Sequence, residues 1–342
     1  MTRDGLIAEF LASHGYGSAR AEPLAQDASF RRYLRLTAGP RPAVLMDAPP
    51  PEDVRPFLRI AEHLAGLGVS VPRIIAADEV AGLLLEEDLG DDLFPTLLEP
   101  PPQPSPAQRG RAGEGAATLF AAAADTLAAI HRAPPPELPP WDAVAMANTA
   151  LATLFDWWWP AMFGAAAPDA ARQEFAVALE AMLAPVAAGP TGFVHRDFFA
   201  GNLIWLPDRA GIGRVGVLDF QGAAIGHPAY DLASLLQDAR RDIPRGIAER
   251  TVAHYLAARP ELDRGQFRIA YAACAAQRHL RVACQWVRLA RRDNRPAYLV
   301  HGPRTWRLLE QAVREPAAAP LAAALDRWIP PGRRGNPPDM AA

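Results

Sequence analysis

Three side chains close together in this 342-residue chain are the ones best placed to do chemistry. Asp197 ends the triplet His195-Arg196-Asp197, Asn202 follows five positions later, and Asp219 closes the apolar run Val215-Gly216-Val217-Leu218 just before Phe220. A carboxylate in Asp197's place can accept or orient the proton of an attacking hydroxyl. Asn202 and Asp219 offer an amide oxygen and a carboxylate, a hard-oxygen pair suited to Mg²⁺, which keeps few protein ligands and takes the rest from phosphates. The ordered set of His, Asp, Asn and a later Asp before Phe is the pattern of phosphoryl transfer from ATP. H-R-D or D-F alone also fits a surface turn before a hairpin, so the order and spacing carry the reading.

The elements around this stretch follow from periodicity. Residues 4–14 carry Leu6, Ile7, Phe10 and Leu11 at helical spacing, with Gly15 and Gly17 to end the helix. Residues 30–37, 43–46, 74–77 and 83–86 read as short strands, and 56–67 as a helix with Phe57, Ile60, Ala61 and Leu64 on one face. Short antiparallel strands with one crossing helix predict a small N-terminal lobe. An Ala-rich helix is expected over 116–131, after a Pro-rich, flexible insertion at 100–106. From residue 151 the chain reads as mostly helical apart from the catalytic hairpin. The predicted organisation is an α+β fold with an N-lobe over 1–88, a helical C-lobe over 89–329 and a frayed Pro/Gly/Arg-rich tail over 330–342.

With these motifs on the page, the chain resembles the aminoglycoside phosphotransferase-like branch of the protein-kinase-like superfamily. Gln221 stands where a protein kinase has the last residue of D-F-G, and Pro228-Ala229-Tyr230-Asp231-Leu232 follows in place of an A-P-E triplet. Fuller matches at 27–33, 44–50, 218–223, 277–282 and 292–299 make it similar to bacterial kinases that phosphorylate the anomeric hydroxyl of N-acetylmuramate and N-acetylglucosamine in cell-wall recycling. The resemblance implies a two-lobed kinase fold, ATP and Mg²⁺, and a small sugar as acceptor. It places Asp231 as a buried carboxylate bracing the catalytic loop, and the backbone of Glu86 and Asp88 at the adenine edge. His195 is expected to pack under the loop. Kinases of other small alcohols (an aminoglycoside, choline or homoserine) are the alternative enzymes, and a pseudokinase binding module is the alternative outside enzymes.

Two departures bear on the nucleotide. The segment Asp27-Ala28-Ser29-Phe30-Arg31 has no glycine where kinases cover the phosphates with a glycine-rich loop, so Ser29 and the loop amides are its candidate contacts. The chain contains no lysine, and Met46 falls where the strand lysine belongs. Arg31, Arg32 or Arg35 is then the candidate phosphate cation, with Arg31 and Arg32 foremost, because guanidinium matches phosphate bidentately.

The acceptor is read from charge. Arg278, Arg281, Gln285, Arg288, Arg292 and Arg295 are spaced three or four apart and predict one polar stripe on a helix. A polycationic aminoglycoside would call for an acidic pocket, whereas a basic stripe suits an anion such as a lactyl carboxylate. Arg278 and Arg281 are its candidate ligands, with a solvated arginine face as the plain alternative. The run Trp157-Trp158-Trp159 fits core packing better than sugar stacking. A net charge of −3 argues against a general nucleic-acid binder. Cys274 and Cys284, about 15 Å apart if on one helix, cannot bridge. No segment reads as a signal peptide or membrane span, so the expectation is a cytoplasmic protein with no membrane partner.

Overall fold

The computed structural model describes residues 2–24, 31–98 and 106–340. They form two compact units, one of Met1–Ala112 and Gly201–Gly222, the other of Gly113–Ala200 and Ala223–Ala342. The break expected at residue 88 therefore falls later, and the segment after the catalytic loop returns to the first unit. Hydrogen bonding explains the return. Leu203–Trp205 and Val215–Val217 form an antiparallel hairpin. Val217 N donates to Ser70 O at 2.8 Å and Trp205 N to Asp92 O at 2.8 Å. Arg209 adds a bond to Ser70 Oγ and an ion pair with Glu87, both at 2.8 Å.

In the first unit, helix α1 (Arg3–Ser13) precedes strands β1 (Arg20–Pro23), β2 (Arg32–Thr37) and β3 (Ala43–Asp47), helix α2 (Arg55–Gly66), and strands β4 (Ile74–Asp78) and β5 (Leu83–Glu87). The sheet order is β1-β2-β3-β5-β4, antiparallel throughout. Sequence periodicity locates every one of these except β1, which has no buried residue and so no alternation to read. Side chains alternate across the pleat. One face packs Leu36, Ala43, Leu45, Leu83 and Leu85 against Phe10, Leu11 and Tyr16. On that face the fully buried Asp47 accepts from Arg3 Nε and Arg32 Nε, both at 2.8 Å. The opposite face carries the registered rows Tyr33, Met46, Leu84 and Arg35, Val44, Glu86.

The second unit is helical around one three-stranded sheet in which Ala224–Gly226 pairs antiparallel with Gly192–Val194 and parallel with Pro140–Trp141. Its axis is the long helix Arg264–Arg292, opened by an Asp263 cap that accepts from Gln266 N at 2.8 Å. Residues 273–284 of this helix are all buried, including both cysteines, which are free. A helix buried on every side over three turns is a core helix, here with Gln277, Arg278, His279 and Arg281 inside it.

The helix expected over 116–131 runs Pro106–Arg132. Most of the predicted insertion, up to residue 105, lies outside the described residues. The tail is not frayed over its described part: Trp158 Nε1 donates to Gly335 O at 2.9 Å and Asn336 Nδ2 to Leu299 O at 2.8 Å, which ties it to the helical unit. Trp158 and Trp159 are buried, and Trp158 packs on Trp306 at 4.9 Å between ring centroids, so the tryptophan run is packing. It sits on a π-helical turn, Thr153–Trp158, that no sequence pattern announced.

Candidate active site

The catalytic loop starts where strand Gly192–Val194 ends. Its backbone is fixed by one buried carboxylate: Asp231 accepts from His195 N at 2.6 Å and Arg196 N at 2.9 Å. A third bond, at 3.3 Å, joins Asp231 to His131 Nε2. Burial lowers the pKa of His131, which favours the neutral ring. A carboxylate only accepts, so Nε2 carries the ring proton and Nδ1 accepts from the Tyr255 hydroxyl at 2.8 Å. Asp231 thus braces the loop as the sequence suggested. His195 is buried, its Nδ1 accepting from Asp197 N at 3.3 Å, so it packs beneath the loop.

Arg196 takes a left-handed backbone, φ 74°, a strained state for a side chain with a Cβ. The bonds to Asp231 hold it there, and its guanidinium stacks 4.0 Å from the Trp141 ring centroid. The turn presents Asp197 from a rigid frame without enclosing it in the core.

Arg278 and Arg281 project from the long helix and are 4% and 8% exposed. Arg281 donates to the Tyr230 hydroxyl at 3.0 Å and to Gln285 Oε1 at 2.8 Å. Among the described residues no group accepts from Arg278 Nε or Nη1, from Arg281 Nε, or from Trp141 Nε1. Burial lowers the pKa of Arg278, Arg281 opposes its charge further, and Tyr230, Asp197 and Asp238 offset part of this. The second unit therefore gathers Arg196, Arg278 and Arg281 within electrostatic range of Asp197. The stripe is shorter than expected: the helix ends at Arg292, which pairs with Asp293, so Arg295 is off it.

In the first unit, Asn202 and Asp219 adjoin, with Asn202 Nδ2 3.5 Å from Asp219 Oδ2. Leu218 N donates to Asn202 O at 2.9 Å and Gln221 Nε2 to Asp219 Oδ1 at 2.6 Å. Asp219 also has a left-handed backbone, φ 58°, and Phe220 packs on Phe57 of α2 at 4.6 Å. The two oxygen donors fit Mg²⁺. Among the described residues no group of three or more His, Cys, Asp or Glu side chains could hold a metal.

The nucleotide candidates separate. Ser29 lies outside the described residues. Arg32 points to the α1 face and pairs with Asp47, so it is removed from the set. Arg35 is taken by Asp88 and Asp91, both at 2.7 Å. Arg31 is buried and pairs through Nε with Glu52 at 3.2 Å. Met46 is fully buried and Glu62 of α2 is exposed, so no strand–helix ion pair forms through them. The backbone of Glu86 does not face an adenine edge, contrary to expectation. In an antiparallel strand a residue's N–H and C=O point to one side. Glu87 N donates to Arg73 O at 2.9 Å, which turns the backbone of Glu86 toward Val44 inside the sheet. The backbone groups able to meet an adenine edge begin after β5, at Asp88. Glu86 instead contributes its side chain: burial pushes the carboxyl up to about 8, against the pull of Arg31, and Oε2 has no partner among the described residues.

Three comparisons bear on this geometry. A model described as the phosphotransferase enzyme family matches residues 20–268. The N-acetylmuramate/N-acetylglucosamine kinase of Caulobacter vibrioides is 38% identical over 96% of the chain and 97% of its own length. The protein of the same description from Pseudomonas aeruginosa is 33% identical over 94% and 93%. A choline/ethanolamine kinase family protein from Mesorhizobium loti superposes with a TM-score of 0.64 at 16% identity, over 95% of this chain and all of that one. That likeness shows a kinase-like fold.

Proposed function

The chain belongs to the phosphotransferase enzyme family, and from that premise we propose that it transfers the γ-phosphoryl group of ATP to the anomeric hydroxyl of N-acetylmuramate and N-acetylglucosamine. The observation that carries the acceptor is the arginine set around Asp197, with Arg278 and Arg281 buried and incompletely partnered. A buried cation whose hydrogen bonds are incomplete is costly. An acceptor carboxylate removes that cost, and the lactyl group of N-acetylmuramate supplies one. A polycationic aminoglycoside would add charge of the wrong sign. The names of the relatives point to the same sugars.

Asp197 takes the proton of the sugar hydroxyl as its oxygen bonds to the γ-phosphorus and the bond to the β,γ-bridging oxygen breaks, leaving ADP. Little covalent work falls to the protein, so positioning and charge neutralisation dominate. Asn202 and Asp219 would hold Mg²⁺, which neutralises phosphate charge. Asp231 and His131 keep the loop in register while Asp197 changes charge. Asp88, Arg31 and Ser29 are the nucleotide contacts. A cytoplasmic location suits an ATP-consuming enzyme, and no helix among the described residues is long and apolar enough to cross a membrane.

The test is ADP release with N-acetylmuramate, N-acetylglucosamine, kanamycin, choline and homoserine as acceptors. Turnover confined to the two N-acetyl sugars is expected. Turnover on kanamycin with none on the sugars overturns the substrate class, and absence of turnover with retained ATP binding favours a pseudokinase.

A further inference from the structure

Without a single lysine, this chain must meet the phosphates of its nucleotide with another cation. The ordinary solution in a kinase is a strand lysine held by a helix glutamate. Met46, at the lysine's position, is fully buried, and Glu62 on α2 is exposed. The first unit contains a different pair. Arg31, immediately before β2, is 8% exposed and forms an ion pair through Nε with Glu52, which lies three residues ahead of α2. Tyr33, two residues further along, is registered against Met46, the lysine's position, and lies within electrostatic range of Arg31, Glu86 and the metal-ligand candidate Asp219. By the alternation of the pleat, Arg31 lies on the sheet face that carries Tyr33 and Met46.

We infer that Arg31, clamped by Glu52, is the cation that holds the β- and γ-phosphates of ATP, in place of a lysine–glutamate pair. The inference rests on the kinase reading above and deepens it. Strand register decides among the arginines. Arg32 faces α1 and neutralises Asp47, while Arg35 is bonded to Asp88 and Asp91. Arg31 alone of the three combines burial with a place on the face of Met46. A guanidinium is planar, so an ion pair through Nε fixes the direction of its two terminal nitrogens, which a lysine tethered at one point would lack. Glu52 thus does from the β3–α2 connection what a helix glutamate does elsewhere, and the methionine at the old position is free to be core.

Calorimetry of ATP, ADP and AMP binding to Arg31→Gln, Arg31→Lys, Glu52→Gln and wild type tests this directly. Arg31→Gln should weaken ATP and ADP by about ten- to a hundred-fold, the weight of one or two hydrogen bonds to a charged group, with AMP unchanged. Glu52→Gln should weaken the same two ligands by a smaller factor, and Arg31→Lys should recover part of the loss. Unchanged ADP and ATP affinity in Arg31→Gln overturns the inference, as does an equal loss for AMP, which marks a folding role. If Arg31→Gln does not fold, Arg31→Lys and Glu52→Gln still decide by the AMP comparison. Wild type that binds none of the three nucleotides would instead sink the kinase reading itself.

Discussion

Glu86→Gln should make the protein more stable, and by an amount that depends on pH in a way no surface change would imitate. The Glu86 carboxyl titrates near 4.5 when free and is pushed up to about 8 in the fold by burial, with Arg31 pulling the other way. Between those values the folded chain keeps a proton that the unfolded chain has lost. Stability therefore falls as pH rises through that window, at about 1.4 kcal/mol per pH unit. Glutamine has the same shape and no titration. The stability gap between variant and wild type should be pH-independent below about pH 4.5, grow by about 2.5 kcal/mol between about pH 5.5 and pH 7.5, and level off above about pH 8. Urea unfolding at a series of pH values, followed by tryptophan fluorescence, gives this gap directly, since other titrating groups cancel in the difference. Parallel stability curves for the two proteins across that range would refute the reasoning and place the Glu86 carboxyl in contact with water or a partner cation.

Further outcomes follow from the site. Asp197→Asn should keep nucleotide binding and lose about two to four orders of magnitude in turnover, read from kcat against ATP affinity. Asp219→Ala should abolish the Mg²⁺ dependence of nucleotide binding, and calorimetry with and without Mg²⁺ would show it. Arg278→Ala, which removes a buried and incompletely partnered cation, should depress turnover of N-acetylmuramate while sparing N-acetylglucosamine, which lacks the carboxylate. Equal losses on both sugars would assign Arg278 to the phosphoryl group or to packing.

Much of this was legible in the sequence, for identifiable reasons. Asp197, Asn202 and Asp219 are separated by fixed local spacings, so their order survives without a structure. The strands β2 to β5 declare themselves because each carries apolar residues that pack, throughout β3 and only partly in β4; β1 does not, because it is exposed along its whole length. Asp231 could be read as a brace, but its partner His131 lies a hundred residues earlier and only the fold joins them. Choosing among Arg31, Arg32 and Arg35 required the strand register, since a one-residue step moves a side chain to the other face. Glu52 was missed outright: it follows three prolines with no periodicity around it. Trp141 was missed as well, because a lone tryptophan before a helix gives no hint that Arg196 will stack on it. The tail misled in the other direction. Its Pro/Gly/Arg composition signals fraying, yet backbone oxygens and Asn336 anchor it to the core, and such contacts leave no side-chain pattern.

The central claim is that the phosphoryl group goes to the anomeric oxygen of an N-acetylated amino sugar, and the chemistry of that position offers a direct measurement. A sugar phosphorylated at its anomeric oxygen can no longer open to the aldehyde. Incubating N-acetylmuramate or N-acetylglucosamine with ATP, Mg²⁺ and the protein should therefore remove reducing-end reactivity in step with ADP release, and phosphorus NMR should show one new phosphate ester coupled to the anomeric proton. ADP release with the reducing end intact, or an ester coupled to any other sugar proton, would contradict the account.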